Sequence, residues 1–506
     1  MNPLTAIDFY KADHRRQYPE GTTEIYSNFT ARAAHPVRKA NGWHENKVVF
    51  FGLQYFIKDF LINAWNEEFF KNDKHTVIAA YKRRMDNALG KDSISTSHIE
   101  ALHDLGYLPL RIKALPEGTR VPVGVPLLTI CNTHPDFFWL TNYIESVMSC
   151  YLWKTITSAT TACEYKYLMT TYAIKTGSPL DFVPFQVHDF SLRGMGSLQD
   201  SAQNGAAHLT SFLGTDSVPA IDLLEDYYNA NAETEMIGAS VPATEHSVMC
   251  MGTQEGELAT FRRLINEIYP TGIVSIVSDT WDFWRVVTEY MEELKEEILK
   301  RDGKVVIRPD SGDPIKIICG DPGAAKNSPE YKGAIECLWE IFGGTITSTG
   351  HKMLDGHIGL IYGDSITLER AEEILKTLEH KGFASGNIVF GIGSYTYQYV
   401  TRDNFGFATK ATSGVIMGKR ISIFKDPKTD SGTKKSATGL LRVEMENGKI
   451  VLYDNQTEEQ EKQGLLECVF LNGKLQKETN LKEIREKIVI TPPQQAPSQN
   501  PQHQKA

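Results

Sequence analysis

Four apolar runs with small or acidic tips constrain the fold more than any other feature of this chain. Residues 305–307 form a continuous β-branched run that stops abruptly in the Arg-Pro-Asp-Ser-Gly segment at 308–312. An unbroken apolar run of this kind is typical of a strand that is covered on both faces. Similar runs with small or acidic tips lie at 274–279, 357–364 and 387–395.

Helical patterns separate these runs, at 281–300, 331–342 and 368–380. The alternation of strand, tip and helix predicts an α/β fold with a barrel-like domain, whose active site lies at the carboxyl ends of the strands. Three tips carry an aspartate, namely Asp279, Asp310 and Asp364. Together these carboxylates favour a site for a cation and a polyol. The alternative interpretation of any single Arg/Asp pair is a salt bridge at a strand end.

The two ends of the chain have a different pattern. Strand-like segments at 107–130, 407–423 and 440–452 and a helical pattern at 48–89 indicate mixed α+β structure. A long helical region at 137–177 is predicted to connect it to the barrel-like part. We therefore predict three parts: an α+β domain of residues 1–150 and 400–490, a barrel-like α/β catalytic domain of residues 151–399, and a disordered tail at 491–506 that has almost no apolar side chains to bury.

Composition excludes several classes of protein. The 506 residues carry 53 basic and 63 acidic side chains, a net charge of −10, which argues against a nucleic-acid surface. We find neither an apolar run long enough to span a membrane nor the pattern of a signal peptide. The seven cysteines are scattered without CxxC spacing, so we expect reduced thiols in the cytoplasm and no zinc site.

The common nucleotide-binding motifs are absent from the sequence. No Gly-Lys pair is followed by Ser or Thr, so the chain has no Walker A motif. The Gly-Ile-Gly segment at 391–393 does not continue as a dinucleotide fingerprint. Its small residues still suit a turn that cradles phosphate with backbone N–H groups.

Three polar candidates stand in the middle of the chain, each with a plainer alternative. His246 follows a strand-like segment and is either a general base, a nucleophile or a hydrogen-bonded core residue. Arg193, close to Phe190, favours a flat anionic ligand, although Phe190 could also be core. Asp216 is either a ligand contact or the cap of a helix predicted at 219–229.

Taken in order, the motifs resemble those of the nicotinamide phosphoribosyltransferase family from about residue 8 to about residue 488. They are DFYKADHRRQYP, HDFSLRG, SFLGTDSV, VPATEHS, SIVSDTWD, VIRPDSGDP, IYGD, VTRD and IFKDP. The resemblance implies a homodimer with two active sites at the subunit interface. It also implies a barrel-like α/β domain beside a domain that both chain ends form.

The resemblance also implies a set of residues around the pyridine ring. Phe190, with Tyr10 from the other subunit, would sandwich the ring, and Asp216 would accept a hydrogen bond from the carboxamide. Arg193 and Arg308 would line the pocket.

Further roles follow for the ribose, the phosphates and catalysis. Asp310 would lie near the ring and ribose, Gly363 and Asp364 would hold the ribose hydroxyls, and His246 beside Asp279 would be the histidine that ATP phosphorylates. The 5′-phosphate would meet the backbone of Gly393 and Ser394. The cations implied around the phosphates are Lys11, Arg32, Arg402, Lys410 and Lys425.

Two departures from the family pattern affect the phosphate contacts. Ser394 and Tyr395 stand where the family often has a glycine-richer turn, and Ala408 stands where it often has serine. Mg²⁺ and the coupled co-substrate ATP are the cofactors implied.

The expected reaction joins nicotinamide to 5-phosphoribosyl 1-pyrophosphate (PRPP), giving nicotinamide mononucleotide and pyrophosphate in NAD salvage, with ATP hydrolysis coupled to it. Three alternatives stay open. They are a nicotinate phosphoribosyltransferase, an unrelated Mg²⁺-dependent barrel enzyme such as an aldolase, and a catalytically silent ligand-binding or signalling protein.

Overall fold

The parallel strands predicted from the apolar runs are present in the computed structural model, which describes residues 2–32, 46–424, 437–488 and 490. Lys425 and the tail at 491–506 lie outside the described residues. Five strands form one parallel sheet in the spatial order Val187–Asp189, Ile388–Ile392, Ile358–Tyr362, Asp302–Arg308 and Thr271–Val277. The α/β class and all four predicted strands are confirmed.

Single parallel bridges connect the two outer strands of this sheet. Asp189 pairs with Thr215, Gly214 with Ala239, and Ala243 with Ser275. The sheet therefore curves into a barrel-like ring, as predicted, with one irregular side. The segments at 208–218 and 239–249 contribute isolated bridges to this side and no continuous strand. Pro242 has no N–H to donate to a ladder, which limits pairing there.

Helices surround the ring. Their bounds are Leu198–Leu209, Val218–Tyr228, His246–Met251, Glu257–Arg263 continuing as Leu264–Ile268, Phe283–Arg285 continuing as Val286–Tyr290 and Met291–Leu299, Pro314–Cys319, Pro329–Lys332, Ala334–Phe342, Leu368–His380 and Ser394–Tyr397. The helices predicted at 281–300 and 368–380 are confirmed. The one predicted from residue 331 begins at Ala334, because Gly333 with φ +83° interrupts it.

A second sheet, antiparallel and of seven strands, combines both ends of the chain. Its spatial order is Lys419–Ser422, Ala408–Ile416, Thr22–Thr30, Pro126–Asn132, Leu110–Ala114, Glu467–Leu471 and Lys474–Leu475. The hairpin Leu440–Glu446 and Lys449–Gln456 turns at Asn447 and Gly448, both with positive φ. The exact domain boundaries stay a prediction.

The helix predicted at 48–89 is partly wrong. Lys47–Val49 is a strand that pairs with Arg120–Pro122, as its β-branched residues favour. Helical structure follows at Leu53–Tyr55, Phe56–Ala64 and Asn66–Phe70. A separate helix, Lys74–Leu89, begins where the Asp73 side chain accepts a hydrogen bond from the Thr76 N–H.

The helix Glu145–Thr176, preceded by the short helix Leu140–Tyr143, joins the two sheets. Leu152 and Ile156 pack into the core under the antiparallel sheet, whereas Leu168 and Met169 pack into the core of the barrel-like ring. Within the described residues, no helix is both long and apolar enough to cross a membrane.

Candidate active site

The parallel strands surround a cavity of about 440 Å³ that opens at their carboxyl ends. Phe190, Asp216 and Arg308 line one end of it, and Lys304 and Gly386 line it farther down. Because Lys304 and Arg308 lie on the same strand, the cavity extends along the inside of the ring. The end lined by Phe190, Asp216 and Arg308 is at the carboxyl ends of the strands, where an active site is expected.

Glycines position the ring of Phe190 at the mouth of this cavity. The Phe190 N–H donates to the carbonyl of Ile392 at 2.8 Å. A methyl group at Gly391 or Gly363 would lie 2.2 Å or 2.8 Å from Phe190 Cδ2. Both positions therefore need glycine for the ring to lie where it does. The ring remains half-buried, so part of it is available to a ligand.

Asp216 is exposed at the same end of the cavity and does not cap the helix that follows. That helix, Val218–Tyr228, starts after Ser217 and has no side-chain cap. The Asp216 Oδ1 instead accepts a hydrogen bond from the Ser240 hydroxyl. The capping alternative is thereby excluded, and one carboxylate oxygen is left for a ligand.

Arg308 lies among carboxylates. Burial lowers the pKa of its guanidinium, and the negative charges of Asp310, Asp216 and Asp279 oppose that effect. Arg308 Nη2 also donates to the carbonyl of Thr244. Arg193 is exposed, and its positive charge is close enough to lower the pKa of Arg308 further. The predicted pocket arginines are therefore neighbours.

Asp279 connects three neighbouring groups. Its Oδ2 accepts from the Asp310 N–H at 2.9 Å and from the Ser311 hydroxyl at 2.6 Å. Its Oδ1 lies 3.1 Å from His246 Nε2. The Asp279 side chain is 5% exposed and that of His246 is 48% exposed. A buried carboxylate thus orients an accessible imidazole ring.

Asp310 and Asp364 are close enough at this end of the barrel for their charges to interact. Partial burial raises the pKa of Asp310, and the charges of Asp279 and Asp364 raise it further, against Arg308 and His246. No group of three or more His, Cys, Asp or Glu side chains with metal-site geometry occurs among the described residues. Two carboxylates suit Mg²⁺, because this ion usually keeps water and takes substrate phosphate oxygens as further ligands.

Gly393 and Ser394 lie next to the loop of Arg193. Gly393 precedes the short helix Ser394–Tyr397. A methyl group at Gly194 would lie 2.7 Å from Ser394 Oγ, so the two backbones approach closely. The predicted phosphate turn is therefore at the same barrel end as the pyridine residues.

Of the predicted residues that the structure describes, Phe190, Asp216 and Arg308 line the cavity and the others, including Arg193, do not. Tyr10 and Lys11 also lie away from the cavity of their own chain. Tyr10 is 60% exposed and its ring packs against His14 at 5.1 Å. Lys11 is buried and forms an ion pair with Glu145, so its charge is already offset.

The basic residues of the antiparallel sheet are also separate from the cavity. Arg32 Nε donates to the carbonyl of Gly406. Arg402 is exposed near Asp403, and Lys410 is opposite Asn28 in the strand register. Lys410 lies in the sheet, whereas Arg32 follows the strand Thr22–Thr30 and Arg402 lies in the short helix Arg402–Asn404 before the strand Ala408–Ile416. Lys425 is outside the described residues.

Ser240 and Asp189 were not among the predicted site residues. Ser240 gave no signal, since a single serine in a loop is common. Asp189 is fully buried and its Oδ1 accepts from the Ser191 N–H at 2.9 Å, which shapes the loop that carries Phe190. Burial raises the pKa of Asp189 to about 6. The one feature of the sequence that could have indicated a role for Asp189 is its position immediately before Phe190.

Comparison with known proteins now identifies the family. Residues 185–474 match the model of the nicotinate phosphoribosyltransferase (NAPRTase) family, and residues 2–112 match the N-terminal domain of nicotinamide phosphoribosyltransferase. A nicotinamide phosphoribosyltransferase of Acinetobacter baylyi is 62% identical over 96% of this chain and 97% of its own length. The chain belongs to the nicotinamide phosphoribosyltransferase family.

A second member of the nicotinamide phosphoribosyltransferase family, from Mycoplasma pneumoniae, is 36% identical over 87% of this chain and 95% of its own. The fold is similar to the crystal structure of nicotinate-nucleotide pyrophosphorylase from Pyrococcus furiosus, with a TM-score of 0.59 at 15% identity, covering 96% of this chain and 95% of that one. The resemblance stated from the motifs is confirmed. The chain is an enzyme of the phosphoribosyltransferase type.

Proposed function

We propose that this enzyme transfers the phosphoribosyl group of PRPP to nicotinamide, giving nicotinamide mononucleotide and pyrophosphate, as a step of NAD salvage. The observation that carries the proposal is the carboxylate of Asp216, which lies beside Phe190 at the cavity mouth and is held by Ser240 rather than by a helix N-terminus. The relatives named nicotinamide phosphoribosyltransferase support it.

Asp216 favours the amide over the acid. An ionised carboxylate only accepts hydrogen bonds, and the carboxamide of nicotinamide offers an N–H. Nicotinate would place a second anion there. Arg308 could attract nicotinate, but Asp216, Asp279 and Asp310 already offset its charge. Nicotinate phosphoribosyl transfer is therefore the weaker alternative.

The chain's own side chains would orient the reactants. Phe190, with Tyr10 of the partner subunit, would hold the pyridine ring so that its nitrogen faces the anomeric carbon of PRPP. The nitrogen lone pair forms the new C–N bond while the C–O bond to pyrophosphate breaks, and pyrophosphate leaves with that electron pair. Asp310 and Asp364 would hold the ribose side of the site and Mg²⁺. Bound Mg²⁺ would offset charge on the pyrophosphate.

We further propose that ATP phosphorylates His246. Asp279 accepts only, so His246 Nε2 carries the hydrogen of their contact and Nδ1 keeps a lone pair. That nitrogen would attack the γ-phosphorus of ATP and release ADP, and water would later cleave the P–N bond. The 48% exposure of the side chain gives ATP access to it.

We also propose a homodimer with shared active sites, in the cytoplasm. Exposed Tyr10 makes no ring contact with Phe190 among the described residues of one chain, which favours its use by a partner. Arg32, Arg402 and Lys410 would then supply positive charge across the interface. All seven cysteines are free thiols, as a reducing compartment favours.

A direct assay tests the reaction. The purified protein receives PRPP, Mg²⁺ and either nicotinamide or nicotinate, with and without ATP, and chromatography identifies the mononucleotide. We expect nicotinamide mononucleotide and pyrophosphate in equal amounts, with a rate that ATP increases. Formation of nicotinate mononucleotide alone, or no product, would reject the proposal.

A further inference from the structure

Arg485, in the C-terminal helix Leu481–Lys487, binds three backbone carbonyls that belong to the barrel-like ring. Its Nε donates to Leu209 O at 2.8 Å, Nη1 to Met236 O at 3.2 Å and Nη2 to Ile237 O at 2.6 Å. A planar guanidinium with a fixed set of donors suits such a contact better than an ammonium does. Burial lowers the pKa of Arg485 to about 10, so the group stays charged at neutral pH.

These carbonyls belong to the two segments that carry Asp216 and Ser240. Leu209 ends the helix before the Asp216 segment, and Ile237 precedes Ser240 by three residues in the chain. Backbone hydrogen bonds join the segments, from Ala239 N–H to Leu213 O at 2.7 Å and from Thr215 N–H to Ala239 O at 2.9 Å.

This is the irregular side of the ring. Single bridges join Gly214 to Ala239 and Ala243 to Ser275, in place of a continuous ladder. A support from outside the ring therefore matters more here than on the five-stranded side. The C-terminal helix is held by apolar packing of Leu481, Ile484 and Ile488 into the cluster that contains Leu209 and Ile237. Arg485 on the same helix binds the backbone carbonyls next to this cluster.

We propose that Arg485 is a positioning residue that sets the preference for nicotinamide by holding the Asp216 and Ser240 segments in register. The inference rests on the proposed function, because the preference is the one assigned to Asp216. Arg485 itself does not line the cavity and acts through the backbone at 236–240. Any displacement there moves the Ser240 hydroxyl away from the Asp216 carboxylate.

The main test variant is Arg485→Met, which keeps an apolar stem and removes all three hydrogen bonds. We expect KM for nicotinamide to rise on the order of 10-fold, as misplaced binding groups do, with KM for PRPP nearly unchanged. The ratio of kcat/KM for nicotinamide to that for nicotinate should fall. The matched control is Lys482→Met, on the exposed face of the same helix, which should behave as wild type.

Two further measurements separate positioning from simple stabilisation. Hydrogen exchange at the amides of Thr215 and Ala239 should speed up in Arg485→Met but not in Lys482→Met. In the Asp216→Ser background, Arg485→Met should no longer change the amide-to-acid ratio, because the group it positions is gone. If Arg485→Met does not fold, Arg485→Lys replaces it, since one ammonium cannot serve three carbonyls in the same geometry.

The outcomes are distinct. A changed ratio in the wild-type background that disappears in the Asp216→Ser background supports the inference. An unchanged ratio would overturn it, even if the melting temperature falls or exchange at the two amides speeds up. If wild type forms no nicotinamide mononucleotide, the proposed function fails, whereas exchange at Thr215 and Ala239 still decides whether Arg485 holds these segments.

Discussion

The ring of Phe190 packs directly against the backbone of Gly391. A methyl group at that glycine would lie 2.2 Å from Cδ2 and 2.3 Å from Cε2 of the ring, distances far inside van der Waals contact. Gly391 was interpreted from the sequence as part of a phosphate turn. In the structure its lack of a side chain decides where the aromatic wall of the cavity lies.

We therefore predict that Gly391→Ala weakens nicotinamide binding. The Phe190 ring must rotate or move outward to admit the methyl group, so stacking on the pyridine ring is lost. The expected rise in the dissociation constant is at least about 10-fold, since ring placement is part of the reactive geometry. Titration calorimetry with nicotinamide measures it.

Gly356→Ala is the matched control. A methyl group there meets no atom within 4 Å, so affinity should stay at the wild-type value. Equal affinities in Gly391→Ala and wild type, with both proteins folded, would show that the ring of Phe190 does not contact the ligand.

Asp189 gives a prediction on stability and pH. Its pKa is raised to about 6, mainly by burial, so the folded protein binds the proton more tightly than the unfolded chain does. The stabilisation is complete below the unfolded pKa and is lost as pH rises through about 6. Asp189→Asn removes this dependence. Relative to wild type, the unfolding free energy of Asp189→Asn should rise by about 2 kcal/mol between about pH 4 and pH 7, as measured by denaturant titration.

Asp189→Asn should fold because the site can use an amide. The Asn oxygen still accepts from Ser191, and the NH₂ group takes the place of the buried, unpaired Asp189 Oδ2, close to the unpaired hydroxyl oxygen of Ser217. Glu117→Gln provides a contrast, because both Glu117 oxygens accept, from the N–H groups of Gly52 and Gln54. Glutamine would place a donor against a donor and destabilise. A parallel pH dependence in Asp189→Asn and wild type would contradict the account.

His246 gives a prediction on ATP coupling. His246→Ala should lose most ATP stimulation and all acid-labile phosphate, while nicotinamide still binds, because the phosphoryl acceptor is gone. Asp279→Asn should lower phosphorylation less, since the histidine remains but its ring is no longer held by a carboxylate. The measurements are ADP release and acid-labile phosphate on the protein. An unchanged rate of ATP hydrolysis in His246→Ala would move the coupling to another residue.

Subunit mixing tests whether the site is shared. Tyr10→Ala and Asp310→Ala should each be nearly inactive, for loss of stacking and of the catalytic carboxylate. Mixed dimers would carry one intact site, so an equal mixture should recover up to about a quarter of wild-type activity. Absence of recovery after verified subunit exchange would show that Tyr10 and Asp310 serve the same chain.

The parallel strands were predictable because burial on both faces leaves continuous apolar runs, as at 305–307. The irregular side was not, because Gly214, Ala239 and Ala243 form single bridges that leave no periodic pattern. Lys47–Val49 was hidden by the aromatic helix that follows it. A periodic sequence pattern arises only where the same contact repeats along an element. An isolated contact leaves no such pattern.

The site was partly predictable for a related reason. Asp279, Asp310 and Asp364 follow strands, so their convergence at one barrel end could be predicted. The choice for Asp216 between a helix cap and a ligand contact needed the position of Ser240. Arg485 reaches this region from the other end of the chain, a contact between distant segments for which a single sequence holds no signal.

The ratio of kcat/KM for nicotinamide to that for nicotinate, measured in wild type and in Asp216→Ser, tests the central claim most directly. Serine removes the charge, and since Asp216 caps no helix the protein should stay folded with an unchanged melting temperature. A charge-assisted hydrogen bond of about 1.5–3 kcal/mol predicts a fall in the ratio of roughly 10-fold to 100-fold. An equal ratio in the two proteins would contradict the claim that Asp216 selects the amide.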